Sequence, residues 1–514
     1  MTVSIADAAR HYAARDLDQA ARVCLELLRA DRFHFDALHL LGVICTNQGR
    51  HADGVSYLLR AEALRPNDGR LHSNLGSSYG AVQRFDKAVE AYQRAISLNY
   101  RDAGVLNNLG LAQMGLGQIE PSIVTFQAAL GMEPGNDPAL YNLARALALA
   151  GRQREAEAEF HRLWQRLPTD VSTQRIGDVA SGLARAMLEQ GRPEEALAVL
   201  REGVARRPEG GPIQWHEALT LLLLGRYDEG WRAYETRFTV ARHERPHSDY
   251  RVLDPEHVAG RRVLIKEEQG RGDIIQFLRY VRPLAARGAR IRLSVYRDLI
   301  PLAWELPDVE QVLGPDEDET EYDLLTSIMS LPLAFATRLE TIPAEVPYLR
   351  APASRIGRMT HRLGPRSGPR IGLAWSGSPA SQARAAMPAS ALEPLTSRHG
   401  IEFHCLQKEI LPDDRAWLER SGRVMTHEAM LRDFGDTAAL IEAMDLVISI
   451  DTAVAHLAGA MARPVWLLLA FNPDWRWLLG RDDSPWYPTA RLFRQPSQGD
   501  WDGVIRAVNE ALPF

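Results

Sequence analysis

Two rhythms of apolar and polar positions divide the chain. Over residues 1–238 the apolar positions recur with helical spacing and the pattern repeats. Leu41, Leu75, Leu109 and Leu143 stand 34 residues apart, each followed by a small residue, Gly42, Gly76, Gly110 and Ala144. Ala61, Ala95 and Ala129 form a second small column, and Pro66, Pro134 and Pro168 close units. This spacing predicts helical hairpins: small residues admit a close partner helix, leucines fill the space between hairpins, and proline ends the second helix. After Pro168 the register drifts, yet LARAMLEQGRPEEALAVLREGVARRP and WHEALTLLLLGRYDEGWRAYETRF keep the pattern, which extends the stack to Phe238. The segment before Asp36 reads as an incomplete or capping first unit.

A 34-residue period with these columns resembles the tetratricopeptide repeat. In the same register Asn74, Asn108 and Asn142 fall on the first helix of successive hairpins. On a ridge lining a groove, their amides would offer a donor and an acceptor to the backbone of an extended peptide. The competing reading is that Asn before Leu is filler of the repeat.

Beyond a connection rich in His, Arg and Pro, residues 239–260, the apolar runs shorten to strand length and alternate with helices. RRVLIKEE, RIRLSVY and EYDLLTS form one block; PRIGLAWSG, EFHCLQ, LVISID and PVWLLL form another. The alternation predicts two Rossmann-like lobes, residues 261–364 and 365–514. The expected fold class is α + α/β multidomain, a helical solenoid followed by paired parallel-sheet lobes.

Such sheets bind ligands beyond the carboxyl ends of their strands, which singles out five turns. In EEQGRGDIIQFLRYV, Gly270 and Gly272 let a ligand approach the backbone, and Asp273 is placed to act as a base, or simply to cap its helix. In WSGSPASQARAAMP, the backbone at Ser376 and Gly377 together with Arg384 would hold a phosphate, unless the loop is only polar surface. Gln407 and Lys408 end the strand EFHCLQ, where the lysine adds a cation. Asp436 and Thr437 read as helix-start residues. In LVISIDTAVAHLAGAMARPVWLLL, Asp451, Thr452 and Ala453 turn into a helix bearing His456; the hydroxyl, the following N–H groups and the positive helix end make an anion site, with a structural histidine as the alternative.

Composition enters by exclusion. With 46% hydrophobic and 25% charged residues the chain is of ordinary globular type, neither disordered nor fibrous. A net charge of −6, with no basic run apart from acidic neighbours, argues against a nucleic-acid surface. Cys24, Cys45 and Cys405 have no spacing for zinc or a disulfide framework, the start is no secretion signal, and no apolar run reaches ~18 residues. A cytoplasmic location without a transmembrane segment is expected.

The motifs EQGRGDIIQFLRY, the SLP of IMSLPLAF, WSGSP, LQK, DTAALI, SIDTAVAHLAGAMARPVWLLL and FNPDWRWLLGRDDSPWYPTARLFRQ resemble bacterial glycosyltransferases related to the ADP-heptose:lipopolysaccharide heptosyltransferases, over nearly the whole chain. The resemblance implies a GT-B fold and an inverting transfer from a nucleotide-sugar donor without a metal or other cofactor. Carried over, Asp273 becomes the general base, while Lys408, Asp451, Thr452, Ala453 and His456 fall on donor-phosphate positions. The loop after Trp375 departs from the family, which has a His and an Asp/Arg-rich run there; Arg384 is its one basic side chain. The plan is also similar to the protein O-linked N-acetylglucosamine transferase, which implies a Ser or Thr acceptor on flagellin or another surface protein, chosen by the solenoid at Asn74, Asn108 and Asn142. A glycan or lipid-linked acceptor and an inactive repeat scaffold are the alternatives; a homo-oligomer is compatible with all three.

Overall fold

The computed structural model describes residues 3–168, 172–207, 211–239, 250–315, 317, 320–377 and 387–513. By compactness the chain divides into two units, Met1–Gln190 and Gly191–Phe514.

The first unit is helical. Its hairpins are Ile5–Ala13 with Leu17–Ala30, Phe35–Asn47 with His51–Glu62, Gly69–Ala81 with Phe85–Ser97, Ala103–Gly115 with Ile119–Met132, and Asp137–Leu149 with Gln153–Arg166, followed by Thr173–Leu188. The glycine column works by close approach. A Cβ on Gly42 would stand 2.6 Å from Leu58, one on Gly76 2.8 Å from the Tyr92 ring and one on Gly110 2.5 Å from the Phe126 ring. A larger residue there would push apart the two helices of the hairpin. Ala61, Ala95 and Ala129 are fully buried, as their column predicts.

The second unit begins with three more helices, Pro193–Arg206, Pro212–Leu223 and Tyr227–Tyr234, and continues into two parallel sheets. The hairpin pattern therefore runs past the boundary set by compactness. The first sheet holds β1 (Arg262–Lys266), β2 (Arg290–Ser294), β3 (Val309–Leu313) and β4 (Leu324–Ser327) in the order β3-β2-β1-β4. The second holds β5 (Arg370–Ala374), β6 (Glu402–Cys405), β7 (Val424–Met425), β8 (Leu446–Ile450), β9 (Val465–Leu469) and β10 (Ala490–Arg494) in the order β10-β9-β8-β5-β6-β7. β5 and β8 are buried along their whole length, because helices cover both faces of such a sheet. All seven strands expected from the sequence are present; β3, β7 and β10 are additional.

The helices before the lobes share the lobes' core. Trp231 donates its indole N–H to the Thr337 carbonyl at 3.1 Å and meets the Trp475 ring edge-on, centroids 5.2 Å apart. Arg237, fully buried, forks onto Glu268 at 2.6 and 2.9 Å and also binds Glu235 and Ser330. Tyr250, in the connection of residues 239–260, donates to Glu235 at 2.7 Å, and residues 240–249 lie outside the described residues.

Candidate active site

Two strand ends, one from each sheet, bring their turns together. After β1, the helix Arg271–Phe277 starts at Gly270; after β8, the helix Ala453–Ala460 starts at Thr452. A Cβ on Gly272 would lie 2.9 Å from His456 Cδ2 and 3.5 Å from Ala453 Cα, so only glycine lets these helix starts abut. The glycine anticipated as room for a ligand thus also serves close packing between the two turns.

Asp273 stands at this meeting point with its side chain 20% exposed. One oxygen accepts the Gly270 N–H at 2.7 Å and the other is paired with Arg476. The N-cap residue is therefore Gly270 and not Asp273, which accepts the Gly270 N–H from the third helical position while its carboxylate stays reachable from solvent. Arg476 comes from the turn after β9. Its Nε donates to Gln276 Oε1 at 2.6 Å, its Nη1 donates to Asp474 at 2.7 Å, and the guanidinium lies 4.3 Å over the Trp475 ring.

On the other side, Thr452 begins its helix without a side-chain cap; its hydroxyl lies 3.0 Å from that of Ser449. The first N–H groups of the helix consequently keep no capping side chain. His456 is 4% exposed; Nδ1 lies 2.9 Å from the Tyr487 hydroxyl, Nε2 lies 3.5 Å from Asp451, and the ring stacks on Trp477 at 5.4 Å. Both ring nitrogens thus face protein partners. Burial pushes the Asp451 carboxyl up, but His456, Arg476 and the Trp477 indole outweigh it and hold its pKa below the ordinary value.

The remaining strand-end residues are bonded within their own lobe. Gln407 accepts the N–H groups of Trp375 and Ser376 at 2.6 and 2.9 Å and returns a bond to the Ser376 hydroxyl at 2.8 Å, which fixes the start of the loop after β5. Gly377 is the last described residue before 378–386, so Arg384 lies outside the described residues. Lys408 is exposed and donates to the Arg432 carbonyl at 2.8 Å. Asp433, rather than Asp436 or Thr437, caps the helix Phe434–Glu442; Asp436 pairs with Arg432 and Arg355.

In the first unit the asparagine column bonds inside the stack. The Asn74 amide lies 2.7 Å from His39, and Asn142, 7% exposed, donates to Asn107 at 2.8 Å; each reaches back to the preceding hairpin. Asn108 is half-buried and accepts from Asn107 at 3.2 Å.

Arg476, Gln276 and Trp477 were not foreseen. The signal was nonetheless there: the rule that reads the turn after each strand, applied to PVWLLL, arrives at Asp474-Trp475-Arg476-Trp477. Among the described residues, no three His, Cys, Asp or Glu side chains stand together as metal ligands would, and no helix is long and apolar enough to cross a membrane.

Comparison with known proteins agrees with this architecture. Tetratricopeptide-repeat models match residues 7–69, 81–117, 103–136, 122–174 and 178–202. Residues 432–472, which hold Asp451, Thr452 and His456, match glycosyltransferase family 9 (heptosyltransferase). The chain is 28% identical over 533 aligned residues to protein FlbA of Caulobacter vibrioides, covering 97% of this chain and 87% of that one. It is 30% identical over 100 residues to the peroxisomal targeting signal receptor of Kluyveromyces lactis, 20% of this chain and 18% of that one. Similar solved structures include YrrB, described as a tetratricopeptide-repeat protein with an unusual peptide-binding site (14% identity, 37% of this chain and 94% of that one, TM-score 0.32), and MamA (25%, 31% and 92%, TM-score 0.29). These findings define the class, a tetratricopeptide-repeat glycosyltransferase. Within it, the matched segment is that of family 9, the heptosyltransferases. The repeats support an interaction with a protein or peptide partner.

Proposed function

We propose that the protein transfers a sugar from a nucleotide-sugar donor to a hydroxyl group with inversion and without a metal, and that the acceptor is a Ser or Thr of a protein such as flagellin or another surface protein. The observation that carries this reading is the meeting of a reachable carboxylate, Asp273, with the uncapped helix start at Thr452. Asp273 would take the proton of the acceptor hydroxyl while its oxygen attacks the anomeric carbon from the face opposite the nucleoside diphosphate, which leaves with the bonding pair. The free N–H groups of Ala453 and the residues after it, with the helix dipole, would meet the charge that grows on the leaving diphosphate. The ridge of Asn74 and Asn108, both half-buried, would guide the acceptor chain, with Asn142 spent on Asn107. Free, buried Cys24, Cys45 and Cys405 support a cytoplasmic setting.

The test mixes the purified protein with UDP-N-acetylglucosamine, GDP-mannose, ADP-glucose and a CMP-sugar and follows release of free nucleotide. Turnover of at least one donor is expected, with a loss on the order of 100-fold or more in Asp273→Asn. Full turnover in that variant would remove Asp273 as the base; turnover of no donor would favour a scaffold. In the presence of flagellin, Asn74→Ala with Asn108→Ala should lower transfer to protein while sparing release of nucleotide. Transfer to a glycan that ignores both substitutions would move the acceptor away from protein.

A further inference from the structure

The turn after β9 sends three successive side chains to three different places. Trp475 packs edge-on against Trp231 of the helix Tyr227–Tyr234, at 5.2 Å and 87°. Trp477 stacks on His456 beside the Thr452 turn, at 5.4 Å and 24°. Between them Arg476, with 7% of its side chain exposed, reaches the helix that carries Asp273 and binds it twice, at Asp273 and at Gln276. Asp474 closes the arrangement from below, accepting the Arg476 backbone N–H at 3.1 Å and its Nη1 at 2.7 Å.

A guanidinium engaged at all three nitrogens and lying 4.3 Å over the anchored Trp475 ring has almost no rotamer freedom left. Asp273 inherits that rigidity: the Gly270 N–H holds one oxygen and Arg476 the other. We infer that Arg476 is a positioning residue that locks the Asp273 carboxylate across the two lobes, so that the base is aimed only when the β9 turn and the β1 turn are docked. The inference rests on the transferase reading for its catalytic consequence, though the lock itself does not. A carboxylate free to swing would spend much of its time misaligned with the acceptor hydroxyl, and an error of about 1 Å can cost on the order of 100-fold in rate.

The experiment is a double-mutant cycle of Arg476→Gln and Asp273→Asn, with Arg476→Lys as the conservative variant, read in two ways on the full chain. Without any donor, thermal unfolding midpoints should be non-additive: the double variant loses less than the two single losses together. With the nucleotide-sugar of the panel above that the wild type turns over, Arg476→Gln should lower kcat on the order of 10-fold or more at unchanged donor KM. It should cost nothing further in the Asp273→Asn background. Arg476→Lys, a point charge without the fork, should recover part of kcat. A raised donor KM at unchanged kcat would overturn the inference and assign Arg476 to the donor instead. Additive losses in midpoint would overturn the lock whatever the activity. Wild-type protein that turns over no donor would sink the transferase reading while the unfolding cycle still judged the lock.

Discussion

The two units finish their helix starts differently. In the repeats the first helix of each hairpin begins with a side chain that accepts a backbone N–H three residues on: Ser4, His34, Asp68, Asp102 and Asn136, with Ser172 doing the same for Thr173–Leu188. In the second unit the helices after β1 and β8 start at Gly270 and Thr452, and neither of these residues supplies such a bond from its side chain, although Asp273 accepts the Gly270 N–H at the first of them. Asp433 and Asp500 cap helices of the same unit, whereas Pro193–Arg206, Ala353–Leu363 and Pro412–Ser421 also start without a capping side chain. A capping side chain stabilises a helix by ~1 kcal/mol. The second helices of four hairpins, starting at Arg50, Arg84, Gln118 and Arg152, go without that gain too. What sets Thr452 apart is that its uncapped N–H groups stand beside a reachable carboxylate, where they suit an anion.

Placing a cap where the second unit lacks one is the strongest way to break the contrast. Thr452→Asp should stabilise the fold by ~1 kcal/mol, because the new carboxylate accepts the orphan N–H groups. The same carboxylate would occupy and repel the diphosphate position, so donor turnover should fall on the order of 100-fold. Thermal unfolding and nucleotide release, measured on the same preparation, check both. A Thr452→Asp protein that stays active would move the donor phosphates elsewhere.

What the sequence disclosed follows the same physics. The strands it revealed include every central one; β5 and β8, covered on both faces, are near-continuously apolar. The three it hid, β3, β7 and β10, all lie at sheet edges; β3 carries exposed Glu310 and Gln311, and β7 has only two residues. Edge strands are short and polar for good reason, and so leave little pattern. The turns that carry Asp273, Thr452 and His456 were legible because strand–turn–helix junctions have a recognisable grammar. Arg476 was not, because its meaning lies in Asp273, 203 residues away in the chain. The asparagine column was legible as a ridge, whereas the spending of Asn74 and Asn142 on neighbouring hairpins depends on inter-repeat packing that one repeat alone does not contain.

Removing a cap where the repeats have one should be the milder, complementary change. Asp102 accepts the Val105 N–H at 2.7 Å. Asp102→Ala should cost ~1 kcal/mol in a urea unfolding curve and leave donor turnover unchanged. A fall in nucleotide release at unchanged stability would show that this helix start has a role beyond stacking.

A further contrast between the units is one of degree, read by protonation. In the second unit His404 lies on β6 with Nδ1 3.0 Å from His427 Nε2 and the rings stacked at 5.3 Å. Burial, the neighbouring His427 and Arg370 push its pKa down to about 4 from 6.5, against the pull of Glu402. In the repeats His39, bonded to Asn74, is lowered as well, mainly by burial. A histidine kept neutral in the fold takes up its proton first in the unfolded chain, so its contribution is whole above pH 6.5 and drains away as the pH falls toward about 4. Between about pH 7 and pH 5, therefore, the unfolding midpoint of the wild type should drop more steeply than that of His404→Gln, with His39→Gln closer to the wild type. Equal slopes in wild type and His404→Gln would mean that His404 takes up its proton at the same pH in both states, and that the stacked pair with His427 does not hold it neutral.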